Sequence, residues 1–199
     1  MEITSEAVKK LRDKTGVGMM DCKKALVETN GDFDKAVELL RKKGMDVAAK
    51  RAGRTASQGV VASYIHLGGK VGVLVEVNCE SDFVAKSDNF TAFVKDISMH
   101  IAASNPLWIQ REDVPAEKLD SEREILKEQA LKTGKPEKVI EKIIEGKLSK
   151  FYAENCLLEQ PFVKDPDRTV KQLLDELIGK TGEKCVIRRF TRYQMGEEI

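Results

Sequence analysis

The sequence predicts an α+β fold: an N-terminal three-helix bundle, a small three-stranded antiparallel sheet with packed helices, and an inserted antiparallel helical hairpin. Three observations predict it. Residues 1–53 place apolar side chains at helical spacing, interrupted at Gly16-Val17-Gly18 and Asn30-Gly31. Residues 60–77 switch to strict alternation around Leu67-Gly68-Gly69-Lys70. Residues 116–153 return to helical spacing in a stretch dense in Glu and Lys. The expected divisions are 1–53, 54–113, 114–155 and 156–199, with the core sheet shared between the second and the last.

The chain has 199 residues, 41% apolar and 34% charged, which fits one or two modest domains with a real core. Its net charge of +1 argues against a generalist nucleic-acid binder. The charge is uneven: residues 1–55 carry 13 Lys/Arg against 9 Asp/Glu. That bias reads more simply as a solvated surface than as a phosphate footprint. No apolar run reaches the roughly 18 residues of a membrane span, and Met1-Glu2-Ile3-Thr4 lacks the features of a signal peptide. Cys22, Cys79, Cys156 and Cys185 form no C-x-x-C, so reduced thiols and a cytoplasmic location are expected. His66 and His100 are the only histidines, which leaves little for imidazole chemistry.

In order, Thr4 caps the first helix, with Ile3 and Val8 as a hydrophobic staple and Val8 and Leu11 facing inward. The second helix runs from about Met19 to Thr29, with Met19, Cys22, Leu26 and Thr29 on one face. Met20 lies off that stripe. It reads either as filler at the bundle's edge or as an adaptable exposed contact. Asp32 caps the third helix, whose Phe33, Ala36, Val37 and Leu40 share a face, and Asp34 suits the positive end of its dipole. Lys50 to Gly59 is basic, small and polar, and reads as a solvated linker.

The hairpin follows, Val60 to Ile65 against Val71 to Val77. A helix from about Asn89 to Ser104, capped by Asp88 or Ser87, carries Phe90, Phe93, Val94, Ile97 and Ile101 as one long stripe. His100 lies beside that stripe and reads as structural. Asn105-Pro106 ends the helix. The helical hairpin runs from Ala116 to about Lys132 and on to about Ala153, turning at Gly134-Lys135-Pro136, with Ile140, Ile144, Leu148 and Phe151 in register. A helix over Thr169–Gly179 precedes a last strand from Cys185 to Tyr193, where Val186 and Phe190 alternate against Ile187. Such a sheet leaves an edge to be covered, paired or blunted by charge, and Arg188, Arg189 and Arg192 are the candidates.

Between the second strand and the long helix stands Asn78-Cys79-Glu80-Ser81-Asp82-Phe83-Val84-Ala85-Lys86. An aromatic beside an acid on a connector is either a helix anchor or a probe aimed at a partner. Signals for catalysis fail in turn. Gly179-Lys180-Thr181 has Leu174 where a phosphate-binding loop needs glycine, and it ends a helix rather than opening one. No G-x-S-x-G or H-E-x-x-H occurs. An enzyme using Cys79 or Cys156 has no motif behind it. The residues favour binding over catalysis.

Three stretches resemble the elongation factor Ts family. They are Leu11 to Leu26 (LRDKTGVGMMDCKKAL), Val75 to Ala85 (VEVNCESDFVA) and Leu158 to Asp165 (LEQPFVKD). They occur in family order. The resemblance implies a guanine-nucleotide exchange factor for elongation factor Tu, with a ubiquitin-associated-like N-terminal domain. By residue matching, Arg12, Met19 and Met20 are the N-terminal contacts, which tips Met20 toward function. The Asp82–Phe83 pair, framed by Ser81 and Val84, pushes between helices of Tu and disturbs its magnesium site. Ser81 stands where the family usually has Thr; both hydroxyls can cap the turn. Phe90 and Phe93 already anchor the following helix, so Phe83 is free for this role. No cofactor, bound metal, direct nucleotide, nucleic acid or membrane is expected. One copy of the strand–strand–helix unit, where longer relatives have two, implies a homodimer through the sheet and a two-to-two complex with Tu. The alternative is a ubiquitin-associated-type adaptor without exchange activity.

Overall fold

The computed structural model describes residues 3–132 and 136–198, which form eight α-helices and a small antiparallel sheet in an α+β arrangement. The helices are α1 (Ser5–Thr15), α2 (Met19–Glu28), α3 (Phe33–Arg51), α4 (Asp82–Ala85), α5 (Asp88–Ser104), α6 (Ala116–Leu131), α7 (Glu137–Asn155) and α8 (Val170–Thr181). The strands are β1 (Gln58–His66), β2 (Val71–Cys79), β3 (Pro161–Phe162), β4 (Asp165–Thr169) and β5 (Cys185–Gln194). Two compact units result: residues up to Met99 with those from Gln172 onward, and His100–Lys171.

In the first unit, the Thr4 side chain accepts the Ala7 N–H at 3.2 Å and Asp32 accepts the Lys35 N–H at 3.0 Å, capping α1 and α3 as their sequences predict. Val8, Leu11, Cys22, Ala25, Leu26, Ala36 and Leu40 make the bundle core, with Ile3, Phe33 and Val37 at its margin. Burying each large aliphatic here contributes about 1.5–3 kcal/mol. Met19 departs from expectation. It opens α2 and stays 40% exposed, and Ala25 fills the inner stripe with Cys22 and Leu26.

The expected linker from Lys50 is shorter than its composition suggests. α3 continues through Arg51 and β1 begins at Gln58. Gly59 belongs to the strand, not the linker. It sits at φ +137°, where a Cβ would lie 2.1 Å from the Val77 carbonyl oxygen, so only glycine closes this end of the β1–β2 ladder.

The sheet has strand order β1-β2-β5, all antiparallel, with β2 central. Alternate residues of β2, Val71, Val73, Val75, Val77 and Cys79, are buried. In β5 the expected alternation breaks. Glu76 pairs with Arg189 but Val77 pairs with Ile187, leaving Arg188 as the extra residue of a β-bulge. Phe190, opposite Val75, therefore faces the same side as Ile187 rather than the opposite one. The arginines do not act alike as edge charges. Arg189 Nε bonds Glu76 at 2.6 Å, whereas the Arg192 side chain is mostly buried and bonds Gln194 at 2.7 Å.

α5 buries Phe90, Phe93, Val94, Ile97 and Ile101 along one stripe. The Ser87 hydroxyl, rather than Asp88, accepts a helix-start N–H, that of Phe90 at 3.4 Å. In the same unit α3 crosses α8 at Gly44 and Gly179, so closely that a Cβ on Gly179 would lie 2.9 Å from the Gly44 Cα.

In the second unit α6 and α7 pack together through Leu126, Ala130, Ile140 and Leu148. The turn expected at Gly134-Lys135 lies outside the described residues. The segment Leu158–Asp165 is organised by Gln160. Its amide donates to the Glu154 and Ser104 carbonyls at 2.7 and 3.3 Å, and its oxygen meets His100 Nε2 at 2.9 Å. Phe162 packs its ring near His100, in a short β3–β4 ribbon that local sequence did not announce.

Candidate functional site

The stretch after β2 folds into α4, a single turn of helix. Ser81 is its cap: in extended geometry it offers Oγ to the Val84 N–H at 3.3 Å. Asp82 is the first helical residue, where the dipole favours an anion, and Lys86 Nζ bonds its carboxylate at 2.7 Å. Val84 and Ala85 are buried and α4 lies against β1 and β2, so the turn is pinned from below. Phe83 points the other way and is 85% exposed. Phe90 and Phe93 of α5 are both buried. An isolated one-turn helix is not stable by its own hydrogen bonds. What fixes this one is its setting.

Ser81 is bonded twice more, by a residue that no local pattern points to. Its N–H donates to Glu183 Oε2 at 3.0 Å and its hydroxyl donates to Glu183 Oε1 at 2.6 Å. Glu80 in turn accepts the Lys184 N–H at 2.7 Å and the Arg54 guanidinium at 3.1 Å. These bonds to a carboxylate hold Glu80 below the usual range, the Lys184 amide first and Arg54 after it. No local spacing signals Glu183 or Lys184, which lie about a hundred positions from their partners. Lys86, four residues after Asp82, was readable from helical spacing.

The N-terminal candidates lie around the break between α1 and α2. Arg12 is exposed in the last turn of α1. Met19 and Met20 start α2, and Met20 is 66% exposed. A Cβ on Gly16 would lie 3.3 Å from Lys180 and 3.6 Å from Asn89. The loop between Arg12 and Met19 therefore rests beside the start of α5, the helix the chain enters just after Phe83. Both groups of candidates ride on one unit.

The thiols are poor nucleophiles. All four cysteines are free and buried. Burial pushes Cys156 up to about 11 and Cys185 up to about 12, and raises Cys22 and Cys79 as well. Among the described residues no group of three or more His, Cys, Asp and Glu is placed to hold a metal ion, and no helix is long and apolar enough to cross a membrane.

A braced turn that presents an exposed aromatic and a helix start that presents methionines belong to the same unit. The model of the family described as Elongation factor TS matches residues 2–197 of the chain. The elongation factor Ts of Geobacter sulfurreducens is 62% identical over 199 residues, covering 100% of this chain and 92% of that protein. That of Moorella thermoacetica is 62% identical over 197 residues, covering 99% and 97%. That of Thermoanaerobacter pseudethanolicus is 61% identical over 197 residues with the same coverage. The chain belongs to the elongation factor Ts family, whose place is in the elongation stage of protein biosynthesis.

Proposed function

We propose that this chain is a cytoplasmic guanine-nucleotide exchange factor, which binds elongation factor Tu carrying GDP and promotes GDP release by disturbing the magnesium and phosphate site. The observation that carries this reading is Phe83, exposed on a turn that is capped, salt-bridged and pinned. Burial of that ring between helices of Tu is worth roughly 2 kcal/mol, which offsets part of the cost of moving them. Nucleotide and exchange factor weaken each other by the same factor at equilibrium, so the ring must fit the nucleotide-free state better than the GDP state. No covalent bond is made or broken, so the chain is a binding protein and not an enzyme.

In this reading Ser81 holds the turn, Asp82 and Phe83 meet Tu, and Val84 anchors them from beneath. Arg12, Met19 and Met20 in the N-terminal domain (1–53) form a second grip on the nucleotide-binding domain of Tu. The chain works as a homodimer in a two-to-two complex. The exposed sheet face supports this: Val61, Ile65 and Tyr193 are largely exposed and Leu74 half exposed, all on one side of the three strands. A two-fold axis would set that face against its own copy.

The test is release of a fluorescent GDP analogue from purified Tu. Sub-stoichiometric wild-type protein should accelerate it. Phe83→Ala should slow release by about tenfold or more while leaving the fold unchanged, since the ring buries almost nothing in the free protein. Equal rates for wild type and variant would reject the insertion role. Complex formation with no acceleration by the wild type would mark an adaptor instead.

A further inference from the structure

We infer that Glu183 is the positioning residue of the Phe83 turn, acting through a clasp that it forms with Ser81, Glu80 and Lys184. Its kinetic consequence rests on the exchange function proposed above. Its structural consequence rests on geometry alone.

The clasp joins the loop from β2 to α4, which supplies Glu80 and Ser81, with the loop from α8 to β5, which supplies Glu183 and Lys184. Cys79 and Cys185, at the ends of the paired strands, face each other immediately below it. The contacts are reciprocal. The Glu183 carboxylate receives both the N–H and the O–H of Ser81, and the Glu80 carboxylate receives the N–H of Lys184.

A serine hydroxyl has one proton. Here it goes to Glu183 at 2.6 Å, which turns an oxygen lone pair toward the Val84 N–H. Glu183 thereby selects the rotamer in which Ser81 caps α4. The bond is charge-assisted, and so stronger than the neutral cap it enforces. Without it the hydroxyl is free to rotate, and α4 keeps the packing of Val84 and Ala85 beneath it but loses the fixed cap on its first turn. The orientation of Phe83, two residues from Ser81, follows from that turn.

Lys184 extends the clasp to the N-terminal bundle. Its ammonium donates to the carbonyls of Ala52 and Arg54 at 2.6 and 2.7 Å, at the end of α3, while Glu80 holds the Arg54 guanidinium. The same two loops thus fix both the turn that carries Phe83 and the exit of the helix that carries the bundle.

The test compares Glu183→Ala, Glu183→Gln and Ser81→Ala with wild type. Two readouts are taken: hydrogen–deuterium exchange of residues 80–87 in the free protein, and fluorescent-GDP release from Tu across a range of factor concentrations. Glu183→Ala should speed exchange in 80–87 by about tenfold, the scale of a lost hydrogen bond to a charged group, with the rest of the molecule unchanged. It should lower the saturating release rate by about tenfold and move the half-saturating concentration by no more than about twofold, because the bundle contacts remain. Glu183→Gln keeps one acceptor oxygen but sets an NH2 donor against the other Ser81 proton and removes the charge, so it should recover only part of both losses. Adding Ser81→Ala to Glu183→Ala should cost little more, as expected of residues acting through one contact. Unchanged exchange in 80–87 with Glu183→Ala overturns the inference. So does a glutamine variant as impaired as alanine with exchange raised throughout the molecule, which marks a merely structural residue. A wild type that releases no GDP removes the exchange function, and the exchange pattern of 80–87 still decides the clasp.

Discussion

His100 is fully buried and bonded at both ring nitrogens. The Val163 N–H donates to its Nδ1 at 3.2 Å, so the proton of the neutral ring sits on Nε2 and donates to Gln160. Burial lowers its pKa below the ordinary 6.5, partly opposed by the Gln160 bond. The neutral form is therefore favoured by folding, and between 6.5 and the lower folded value the unfolded chain binds more protons. The stabilisation is complete above 6.5 and is lost as the pH falls through that window. Denaturant midpoints measured from about pH 7.5 to about pH 5 should drop for the wild type. His100→Asn should be less stable at the upper end by about 1–3 kcal/mol, from a stranded buried partner, and should fall less steeply. Parallel pH profiles for the two proteins would show that His100 does not drive the loss.

Helices respond to glycine replacement according to what stands beside them, and two glycines here should respond with opposite sign. Gly179 of α8 meets the backbone of α3 at Gly44, and a Cβ at 2.9 Å from a backbone carbon has no flexible neighbour to displace. Overpacking of this kind costs about 1–3 kcal/mol, against a gain of about 1 kcal/mol from replacing glycine in a helix. Gly179→Ala should therefore destabilise. Gly146 of α7 has nothing within 4 Å of a new Cβ, so only the gain of about 1 kcal/mol remains and Gly146→Ala should stabilise. Denaturant unfolding of both variants checks the pair, and equal signs would contradict the crossing geometry. Elements of this kind were legible in the sequence where a period or a cap announced them. The alternating valines of β2, the stripe of α5, and the caps Thr4, Asp32 and Ser81 are local patterns with local causes. The bulge at Arg188 was not legible, because nothing in Cys185–Gln194 marks which residue lacks a partner. The partner of Ser81 was not legible either. Glu183 is one of many glutamates, and the contact that singles it out spans 102 positions. Met19 was misplaced because a helix's first residue belongs to the buried stripe by spacing, yet here projects beyond the end of the core.

At the scale of the whole molecule, one face of the sheet is buried and the other offers large apolar side chains to water. Pairing puts Ile65 and Tyr193 on either side of Gly72, with Leu74 two residues along β2 and Val61 further along β1. Glu76 and Arg189 pair with each other beside it, so the patch ends in a neutralised polar rim. A monomer that exposed such a patch would risk association through it, and the homodimer we propose uses it instead. The edges β1 and β5 are less suited to dimerisation, because an edge-to-edge joint would need extended backbone pairing and the bulge at Arg188 disturbs β5. Light scattering should give a mass near twice 22.3 kDa. Leu74→Glu places a carboxylate at the centre of the face on a residue already half exposed, so it should cost the protomer no more than about 0.5 kcal/mol while splitting the dimer to the single-chain mass. The same variant should bind Tu one-to-one rather than two-to-two, and with a higher half-saturating concentration for GDP release, since contacts supplied by the second protomer are gone. A wild type at the single-chain mass rejects the dimer, and a Leu74→Glu protein that remains double in mass moves the joint from this face to a strand edge.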